Sequence, residues 1–426
     1  MVLPEKKVIF YSTYNSNKIK AIKKDINKIS GVNSCFFAFG CVSFEKKCYL
    51  CKTIKAQKNK LIHMNTRKYT LVINPGATST KAAIYEGESE VFTENLSHPI
   101  EEIQKFKEVA DQFDYRKGAI LDMLKRHQIG TDEIAIVMGR GGLTRPCESG
   151  TYEVNDLMKQ ECHDGIQGKH ACNLGALIAD SISREIGLAH AYISDPGIVD
   201  ERPDYAKISG HPVFDLDPSH EGVIWHCLNQ KMTAKLYARE LGKHYEDLNL
   251  IIAHMGGGVS VGIHNHGRVV EVNRALCGLG AFSPTRCGSI NASKLIEVAC
   301  SGKYTEAQLK KMVTAEGGFV AYLGTNDAYE VEKKALAGDA KCKLLVDAFC
   351  YQVAMEISRL AAVVNGKVDA ILLTGGIAYS KPWMAQITER IDWIAPVKVY
   401  KGENEMLALA MCGKEILDGA KAKIYK

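Results

Sequence analysis

The sequence lacks any long apolar run, and this absence excludes a membrane-spanning helix. No stretch approaches the roughly 18 uninterrupted apolar residues that such a helix needs, and the first residues lack the apolar core of a secretory signal. The composition, with 46% hydrophobic and 24% charged residues, is typical of a globular protein. We therefore expect a cytoplasmic protein with no membrane partner.

Arginine is absent from residues 1–63, which contain 13 lysines and 3 acidic residues. The rest of the chain holds 41 of the 54 basic and 46 of the 49 acidic residues, so it is mildly acidic. It shows no basic stripe, which argues against a nucleic-acid partner. Because residues 1–63 also lack periodicity, we interpret them as a dispensable N-terminal extension, either disordered or the product of a start site assigned upstream of Met64.

Disulfides are not expected, although the chain contains 14 cysteines. Those after residue 64 occur singly within predicted helices and strands, which is typical of reduced thiols in a long intracellular chain. Four others lie in the extension, at Cys35, Cys41, Cys48 and Cys51. The Cys48-x-x-Cys51 spacing suits zinc, whereas the spacing from Cys35 to Cys41 is loose. A zinc site remains an open alternative there.

An alternation of strands and helices occurs twice after Met64. The first half has predicted strands over 69–74, 80–85, 89–94, 134–138 and 191–194, and helices over 101–126 and 174–186. The second half has predicted strands over 250–253, 259–264, 269–272 and 368–373, and a long helix over 343–365. The repeated order predicts two α/β lobes that arose by duplication, with a cleft between them.

Glycine-rich turns follow three of the apolar strands. They are Asn74-Pro-Gly-Ala-Thr-Ser-Thr-Lys81, His254-Met-Gly-Gly-Gly-Val-Ser260 and Leu373-Thr-Gly-Gly-Ile377. One such turn alone is most often a tight hairpin, but consecutive glycine N–H groups can also bind phosphate. Three together favour nucleotide binding. None of them has the Walker pattern or a G-x-G-x-x-G that opens a helix, so P-loop and Rossmann sites are excluded.

Further motifs carry a more specific resemblance. They are Gly139-Arg-Gly-Gly-Leu-Thr-Arg-Pro146, His170-Ala-Cys-Asn-Leu-Gly175, Asp195-Pro, Phe214-Asp, Trp225-His-Cys-Leu-Asn-Gln-Lys231, Ser283-Pro-Thr-Arg-Cys-Gly288 and Gly402-Glu-Asn-Glu-Met-Leu-Ala408. In this order, from residue 66 to about 420, the chain resembles the acetokinase family of acetate and butyrate kinases, which are related to sugar kinases, actin and the heat-shock ATPase. The motifs that begin at Gly139 and Trp225 look like those of butyrate kinases.

The resemblance implies a fold. We expect an α/β protein with a two-lobed, duplicated actin-like ATPase fold, a βββαβαβα repeat and a central nucleotide cleft. The first, acid-binding lobe would comprise residues 64–197 and 405–426. The second, nucleotide-binding lobe would comprise residues 198–404.

The resemblance also implies four catalytic residues. Arg140 would hold the substrate carboxylate, with Arg145 beside the same Gly-Gly turn as an alternative. Arg286 would neutralise the equatorial oxygens of the transferring phosphoryl group, as an arginine finger does. His226 would donate a hydrogen bond to that group, and Asp195 would orient an arginine.

Other residues would bind ligands. The resemblance assigns the ATP phosphates to Asn74, Thr78, Ser79, His254, Gly256, Gly257 and Gly258, the adenosine to Gly375 and Gly376, the acid to His170 together with Arg140, and Mg²⁺ to Glu405 and Asn74. Glu403 is an alternative for the metal role. His170 and His254 could equally pack behind the phosphate site in structural roles.

The implied activity is transfer of the ATP γ-phosphoryl group to butyrate, which gives butyryl phosphate and ADP reversibly. A carboxylate is already ionised at neutral pH, so the reaction needs positive charge, Mg²⁺ and positioning rather than a base. Isobutyrate, propionate or acetate could replace butyrate, since one methylene contributes only about 1–3 kcal/mol to discrimination. A non-metabolic ATPase of the actin or chaperone kind is the alternative from another class. The family also implies a homo-oligomer.

Overall fold

Two mixed β-sheets form the framework of the computed structural model, which describes residues 67–217, 221–276 and 279–426. The strands are β1 (Tyr69–Pro75), β2 (Ser79–Glu86), β3 (Ser89–Ser97), β4 (Ile134–Arg140), β5 (Thr151–Glu153), β6 (Tyr192–Ser194), β7 (Asn249–Met255), β8 (Val259–Asn265), β9 (Arg268–Val272), β10 (Ala370–Thr374), β11 (Val397–Val399) and β12 (Lys423–Ile424).

Helices connect and cover these strands. They are α1 (Ile100–Ile103), α2 (Phe113–Arg126), α3 (Asp156–Asp164), α4 (Asn173–Glu185), α5 (Cys227–Glu240), α6 (Ala292–Cys300), α7 (Glu306–Thr314), α8 (Gly318–Leu323), α9 (Ala328–Leu336), α10 (Ala340–Ala361), α11 (Lys381–Ile391) and α12 (Glu405–Leu417). Among the described residues, no helix is long and apolar enough to span a membrane.

The two sheets share one topology. The first has the order β12-β5-β6-β4-β1-β2-β3 and the second the order β11-β10-β7-β8-β9. In each sheet, three strands form an antiparallel meander. A later strand pairs in parallel with the first strand of the meander, and a further strand pairs in parallel with that later strand. The first sheet differs only by its extra edge strands β5 and β12. This shared order supports the predicted duplication.

Two helices pack between the sheets and exchange sides. Helix α5 follows the strands of the first sheet but packs on β7 and β10 of the second, whereas α12 follows the second sheet and packs on β1 and β4 of the first. The two helices also contact each other, through apolar side chains that include Leu228, Met232 and Met406. Their N-terminal ends lie close together, because the backbone N–H of Asn404 donates to the Asn229 side chain at 2.8 Å.

The long helix α10 covers the outer face of the second sheet. Its buried side chains recur at helical spacing, as the sequence predicts, from Leu345 through Phe349 and Val353 to Leu360. The helix begins earlier than predicted because the Asp339 side chain accepts a hydrogen bond from the backbone N–H of Cys342 at 2.8 Å.

The single helix predicted over 101–126 is wrong. The chain forms the one-turn helix α1 and then turns before α2 begins at Phe113. The Asp111 carboxylate accepts a hydrogen bond from the backbone N–H of Glu108 at 2.9 Å, and Phe106 packs on Tyr115. Such local side-chain bonds to the backbone compete with helix continuation.

The remaining predictions about organisation have mixed outcomes. Nine of the 14 cysteines lie among the described residues, and these nine are free thiols, as predicted. The interpretation of residues 1–63 and the zinc alternative at Cys35 to Cys51 lie outside the described residues. Both sheets belong to one compact unit, so the lobe boundaries at residues 197 and 405 stay a prediction.

Candidate active site

The ends of parallel strands bring the predicted site residues of the first sheet together. Ile73 on β1 pairs with Gly139 on β4, so the next residues, Asn74 and Arg140, lie side by side where the strands end. In the second sheet, His254 on β7 pairs with Thr374 on β10, just before Gly375. Open α/β sheets bind their ligands at these carboxyl ends.

Asn74, Arg140 and Glu405 form a hydrogen-bonded cluster. The Asn74 side chain donates to Glu405 Oε2 at 2.7 Å and accepts from Arg140 Nη1 at 3.1 Å. Arg140 Nη1 also lies 3.1 Å from Glu405 Oε2. Glu405 is the first residue of α12, so this helix supplies a carboxylate to the first sheet.

Close glycine packing determines where Arg140 lies. A Cβ on Gly175 of α4 would lie only 2.2 Å from the carbonyl oxygen of Arg140, and one on Gly139 would lie 2.3 Å from the carbonyl oxygen of Gly175. Only glycine at both positions lets helix and strand approach this closely. The Arg145 guanidinium instead pairs with the buried Glu161 at 2.5 Å, which favours Arg140 over Arg145 for the acid-binding role.

Arg286 lies against the Gly256–Gly258 turn of the second sheet. A Cβ on Gly258 would come within 2.4 Å of Arg286 Nη1. The Arg286 loop is fastened to the same turn, because the hydroxyl of Ser283 donates to the carbonyl oxygen of Gly257 at 2.7 Å and that of Thr285 does so at 3.2 Å. The loop therefore holds Arg286 next to the turn predicted to bind phosphate.

His226 and His254 stack face to face, with ring centroids 3.8 Å apart and planes inclined by 9°. Burial lowers the pKa of His226 well below its usual value, and His254, Arg286 and Arg140 lower it further. Burial likewise lowers the pKa of His254 to about 4. Both rings are therefore neutral at physiological pH.

Asn229 connects His254 to the rest of the site. Its side-chain amide donates to His254 Nδ1 at 2.8 Å, and its oxygen accepts from the backbone N–H of Asn404 at 2.8 Å. The hydrogen of neutral His254 therefore lies on Nε2, which is 3.5 Å from the Glu403 carboxylate. His254 thus joins α5 to the loop that carries Glu403.

Charge interactions place the two predicted arginines around one region. Desolvation lowers the pKa of His170, and Arg140, Arg286 and Arg116 lower it further. Arg140 and Arg286 also lower the pKa of His226. Arg286 and His226 also lie together at Gly258, and His226 stacks on His254. The two arginines therefore surround the same histidines, as expected if they belong to one site.

Arg116 supports the loop after β1, which is predicted to bind phosphate. This fully buried residue of α2 donates to the carbonyl oxygens of Gly76, Ala77 and Ser79, at 2.9–3.0 Å. With its carbonyls held inward, the loop exposes Thr78 at its tip, and Ser79 is half-buried. No sequence motif pointed to Arg116, because it lies in a helix without a recognised pattern.

The turn after β10 brings Gly375 against the second sheet. Gly375 has φ +94°, and a Cβ there would lie 2.3 Å from the carbonyl oxygen of Met255. Gly375 and Gly402 exchange backbone hydrogen bonds at 3.0 and 3.1 Å. The segment that leads to Glu403 and Glu405 is therefore held against the turn predicted to bind adenosine.

Comparison with known proteins identifies the family. Residues 224–419 match the model of the acetokinase family. The chain is 48% identical to a probable butyrate kinase of Clostridium botulinum over 356 residues, which are 83% of this chain and 99% of that protein. It is 49% identical to butyrate kinase 1 of Clostridium acetobutylicum over 357 residues, which are 84% of this chain and 99% of that protein. The chain belongs to the acetokinase family.

Solved structures agree with this acetokinase assignment at the level of the fold. The chain matches a propionate kinase from Francisella tularensis with a TM-score of 0.65 at 18% identity, over 82% of this chain and 99% of that one. It matches an acetate kinase from Porphyromonas gingivalis with a TM-score of 0.66 at 17% identity, over 82% of this chain and 100% of that one. The predicted family and the predicted actin-like α/β fold are confirmed.

The acidic residues of this acetokinase site suit Mg²⁺. Glu405 and Glu403 offer carboxylate oxygens and Asn74 an amide oxygen, which are the ligand types that Mg²⁺ prefers. Burial and the nearby Glu405 raise the pKa of Glu403, which a bound cation would offset. In the described part of the chain, no three His, Cys, Asp or Glu side chains are arranged to hold a metal by themselves. This arrangement fits Mg²⁺ that arrives with nucleotide phosphates.

Asp195 lies at the end of β6, where the sequence places it, but with other partners. Its carboxylate accepts hydrogen bonds from the Ser149 hydroxyl at 2.6 Å and the Gly150 N–H at 2.9 Å. Its φ of +40° belongs to a tight turn. These bonds favour a role in holding the turn, and the predicted orientation of an arginine stays a prediction.

Proposed function

We propose that this acetokinase transfers the γ-phosphoryl group of ATP to butyrate. Membership of the acetokinase family makes the chain a carboxylate kinase, and nearly half of the aligned residues are identical to those of butyrate kinases. The observation that carries the proposal is the series of contacts between Arg140 and Arg286. Arg140 pairs with Glu405 at 3.1 Å, and the nearby Glu403 is 3.5 Å from His254. His254 stacks on His226, which lies beside Arg286 at Gly258. One cation serves the acceptor carboxylate and the other the transferring group.

The reaction proceeds by direct displacement. A carboxylate oxygen attacks the γ-phosphorus, the bond from that phosphorus to the β,γ-bridging oxygen breaks, and ADP leaves. No base is required because the attacking carboxylate is already ionised. Arg140 holds the acid in a charge-assisted pair, with His170 beside it. Arg286 stabilises the negative charge on the equatorial phosphoryl oxygens.

The glycine turns and the first loop bind the nucleotide in this proposal. The N–H groups of the Gly256–Gly258 turn and the residues Asn74, Thr78 and Ser79 contact the phosphates, and the turn at Gly375 and Gly376 contacts the adenosine. His254 closes the phosphate site from behind. Bound Mg²⁺, held by Glu405 with Asn74 or Glu403, would neutralise phosphate charge.

A panel of acids tests the substrate. ADP release is measured with butyrate, isobutyrate, propionate and acetate, and without acid. The proposal expects turnover that requires an added acid and the highest kcat/KM for butyrate. Equal turnover without acid would support an ATPase of the actin or chaperone kind, and a higher kcat/KM for another acid would replace butyrate as the substrate.

A further inference from the structure

A buried chain of hydrogen bonds leads from Tyr245 to the catalytic histidine. The Tyr245 hydroxyl is 2.6 Å from His264 Nδ1, and His264 Nε2 is 3.0 Å from Gln230 Oε1. Gln230 Nε2 is then 2.9 Å from Ser260 Oγ, which is 2.8 Å from His226 Nδ1. Tyr245 is 5% exposed, and the three middle residues are fully buried.

The backbone determines the direction of this chain at Gln230. Gln230 Nε2 donates to the backbone carbonyl oxygen of Ser260 at 3.0 Å, and a carbonyl can only accept. The amide oxygen of Gln230 therefore faces His264, whose Nε2 must donate to it. Burial keeps His264 neutral, because it lowers the pKa of this residue well below its usual value. His264 Nδ1 thus accepts from the Tyr245 hydroxyl.

The same reasoning assigns the hydrogen of His226. Ser260 Oγ accepts from Gln230 Nε2 at 2.9 Å and from the backbone N–H of His226 at 3.3 Å. Its own hydrogen is then directed to His226 Nδ1. A neutral imidazole carries one N–H, so that of His226 is on Nε2.

The Cε1 atom of His226, which adjoins Nε2, lies beside the phosphate turn. A Cβ on Gly258 would lie 3.1 Å from His226 Cε1 and 2.4 Å from Arg286 Nη1. Because Nδ1 is bound to Ser260 at 2.8 Å, Nε2 is the ring nitrogen left to meet a ligand at this turn.

We propose that Gln230 and Ser260 are positioning residues that fix the tautomer of His226, so that its Nε2–H donates to the transferring phosphoryl group. The inference rests on the proposed function, and it identifies the residues that keep His226 a neutral hydrogen-bond donor. In the other tautomer, His226 would present a lone pair to a phosphoryl oxygen, which would repel it. The chain from Tyr245 thus prevents a tautomer that would oppose the transition state.

Charge explains why the tautomer matters here. Burial, followed by His254, Arg286 and Arg140, lowers the pKa of His226 well below its usual value, so the ring does not become a donor by gaining a proton. A fixed neutral donor avoids a third cation beside two arginines, and hydrogen-bond donors aimed at developing charge are among the strongest contributions to catalysis.

Nitrogen NMR of the ¹⁵N-histidine-labelled full chain tests the tautomer directly. The signals of His226 are assigned by their loss in His226→Gln, and two-bond couplings from the ring hydrogens report which nitrogen carries the N–H. We expect Nε2–H for His226 at neutral pH without ligand. A His226 with its hydrogen on Nδ1, or one charged at neutral pH, would overturn the proposal, even if the enzyme forms butyryl phosphate.

The kinetic test uses two matched serine substitutions. Ser260→Ala removes the link in the chain, and we expect a mixed tautomer at His226 and roughly a tenfold lower kcat with little change in either KM. Ser183→Ala also deletes a buried hydroxyl, which has no hydrogen-bond partner among the described residues, and should leave kcat unchanged.

Ser260→Thr keeps the hydroxyl and should restore both the Nε2–H tautomer and most of kcat. A Ser260→Ala variant that retains a pure Nε2–H signal and wild-type kcat would contradict the proposal. If Ser260→Ala fails to fold, the tautomer of His226 in the unaltered protein still decides whether the proposal holds.

Absence of acyl phosphate from the unaltered enzyme would instead refute the proposed function. The NMR measurement of the His226 tautomer does not depend on that outcome.

Discussion

At the scale of single residues, the account depends on two arginines with different tasks. Arg286→Ala should lower kcat by about 10³-fold, because it removes a cation that acts on the transition state. Arg140→Ala should mainly raise KM for the acid, with KM for ATP little changed. Steady-state kinetics with both substrates varied measure this division.

Arg239→Ala, which removes an exposed arginine paired with Glu88 at 2.7 Å, is the control and should match the unaltered enzyme. If the two site variants showed the same pattern of kcat and KM, the division would be wrong.

The buried His98, beneath the loop that follows β1, makes the stability of the fold depend on pH. His98 is 2.8 Å from the Thr80 hydroxyl, and burial and then Arg116 lower its pKa to about 4. Between pH 4 and its ordinary pKa near 6.5, the unfolded chain binds one more proton at this position than the fold does. The stabilising contribution is therefore complete above about pH 6.5 and is lost as pH falls towards 4.

Urea unfolding of His98→Gln at several pH values measures this contribution. The free energy of unfolding should fall less steeply below pH 6.5 in the variant, by about 1.4 kcal/mol per pH unit. His163→Gln, which replaces an exposed histidine, controls for the loss of an imidazole. The same slope in His98→Gln as in the unaltered protein would show that His98 does not titrate in this way.

At the scale of elements, the contact between α4 and β4 determines the position of Arg140. Gly175→Ala would place a Cβ 2.2 Å from the Arg140 carbonyl oxygen, so the helix or the strand must shift. We expect a loss of about 1–3 kcal/mol of stability and a higher KM for the acid.

Gly118→Ala is the matched control for Gly175→Ala, because it adds the same methyl group to a helix. Gly118 lies in α2, and nothing lies within 4 Å of the Cβ position. The change should stabilise the protein by about 0.5–1 kcal/mol and leave KM unchanged. Thermal unfolding of both variants, and steady-state kinetics with the acid substrate varied, measure these effects. An unchanged KM for the acid in Gly175→Ala would show that the contact between α4 and β4 does not position Arg140.

The elements also show where sequence patterns were sufficient. The strand β1 was predicted to within one residue, and β7, predicted over 250–253, runs from Asn249 to Met255. The apolar face of α10 was predicted correctly, although the helix runs from Ala340 to Ala361 and not over 343–365. Helix α5 was not predicted, because its buried face carries Asn229, Gln230, Lys231 and Thr233 instead of a periodic apolar stripe. The short strands β5, β11 and β12 have too few residues to show an alternation.

The site was predictable to a similar extent. Recognised motifs identified Asn74, Arg140, His226 and Arg286, whose side chains the fold brings to one region. The supporting residues were missed, because Arg116 and Gln230 act through hydrogen bonds to segments 30 or more residues away. A run of polar residues after His226, too long for one exposed helix face, was the signal available for Gln230.

At the scale of the whole molecule, the two proposed lobes would divide the substrates. The first, with Arg140, would bind the acid, and the second, with the Gly256–Gly258 turn, would bind most of the nucleotide. Phosphoryl transfer to a carboxylate requires that water be excluded, so the lobes should close when both ligands bind. The predicted homo-oligomer and cytoplasmic location do not enter this argument and stay predictions.

Small-angle scattering measures the closure. The radius of gyration should decrease when a non-hydrolysable ATP analogue, Mg²⁺ and butyrate are all present. Butyrate alone serves as the control and should change the radius less. An unchanged radius at saturating concentrations of all three ligands would contradict closure.

The central claim is that the chain makes a carboxylate into an acyl phosphate. The most direct measurement incubates the purified full chain with ATP, Mg²⁺ and butyrate, traps the product with hydroxylamine and identifies the hydroxamate by mass spectrometry. The account predicts butyryl hydroxamate in amounts equal to the ADP formed, and a rate lower by about 10³-fold with Arg286→Ala. ADP formation without any acyl hydroxamate, from butyrate or another short acid, would contradict it.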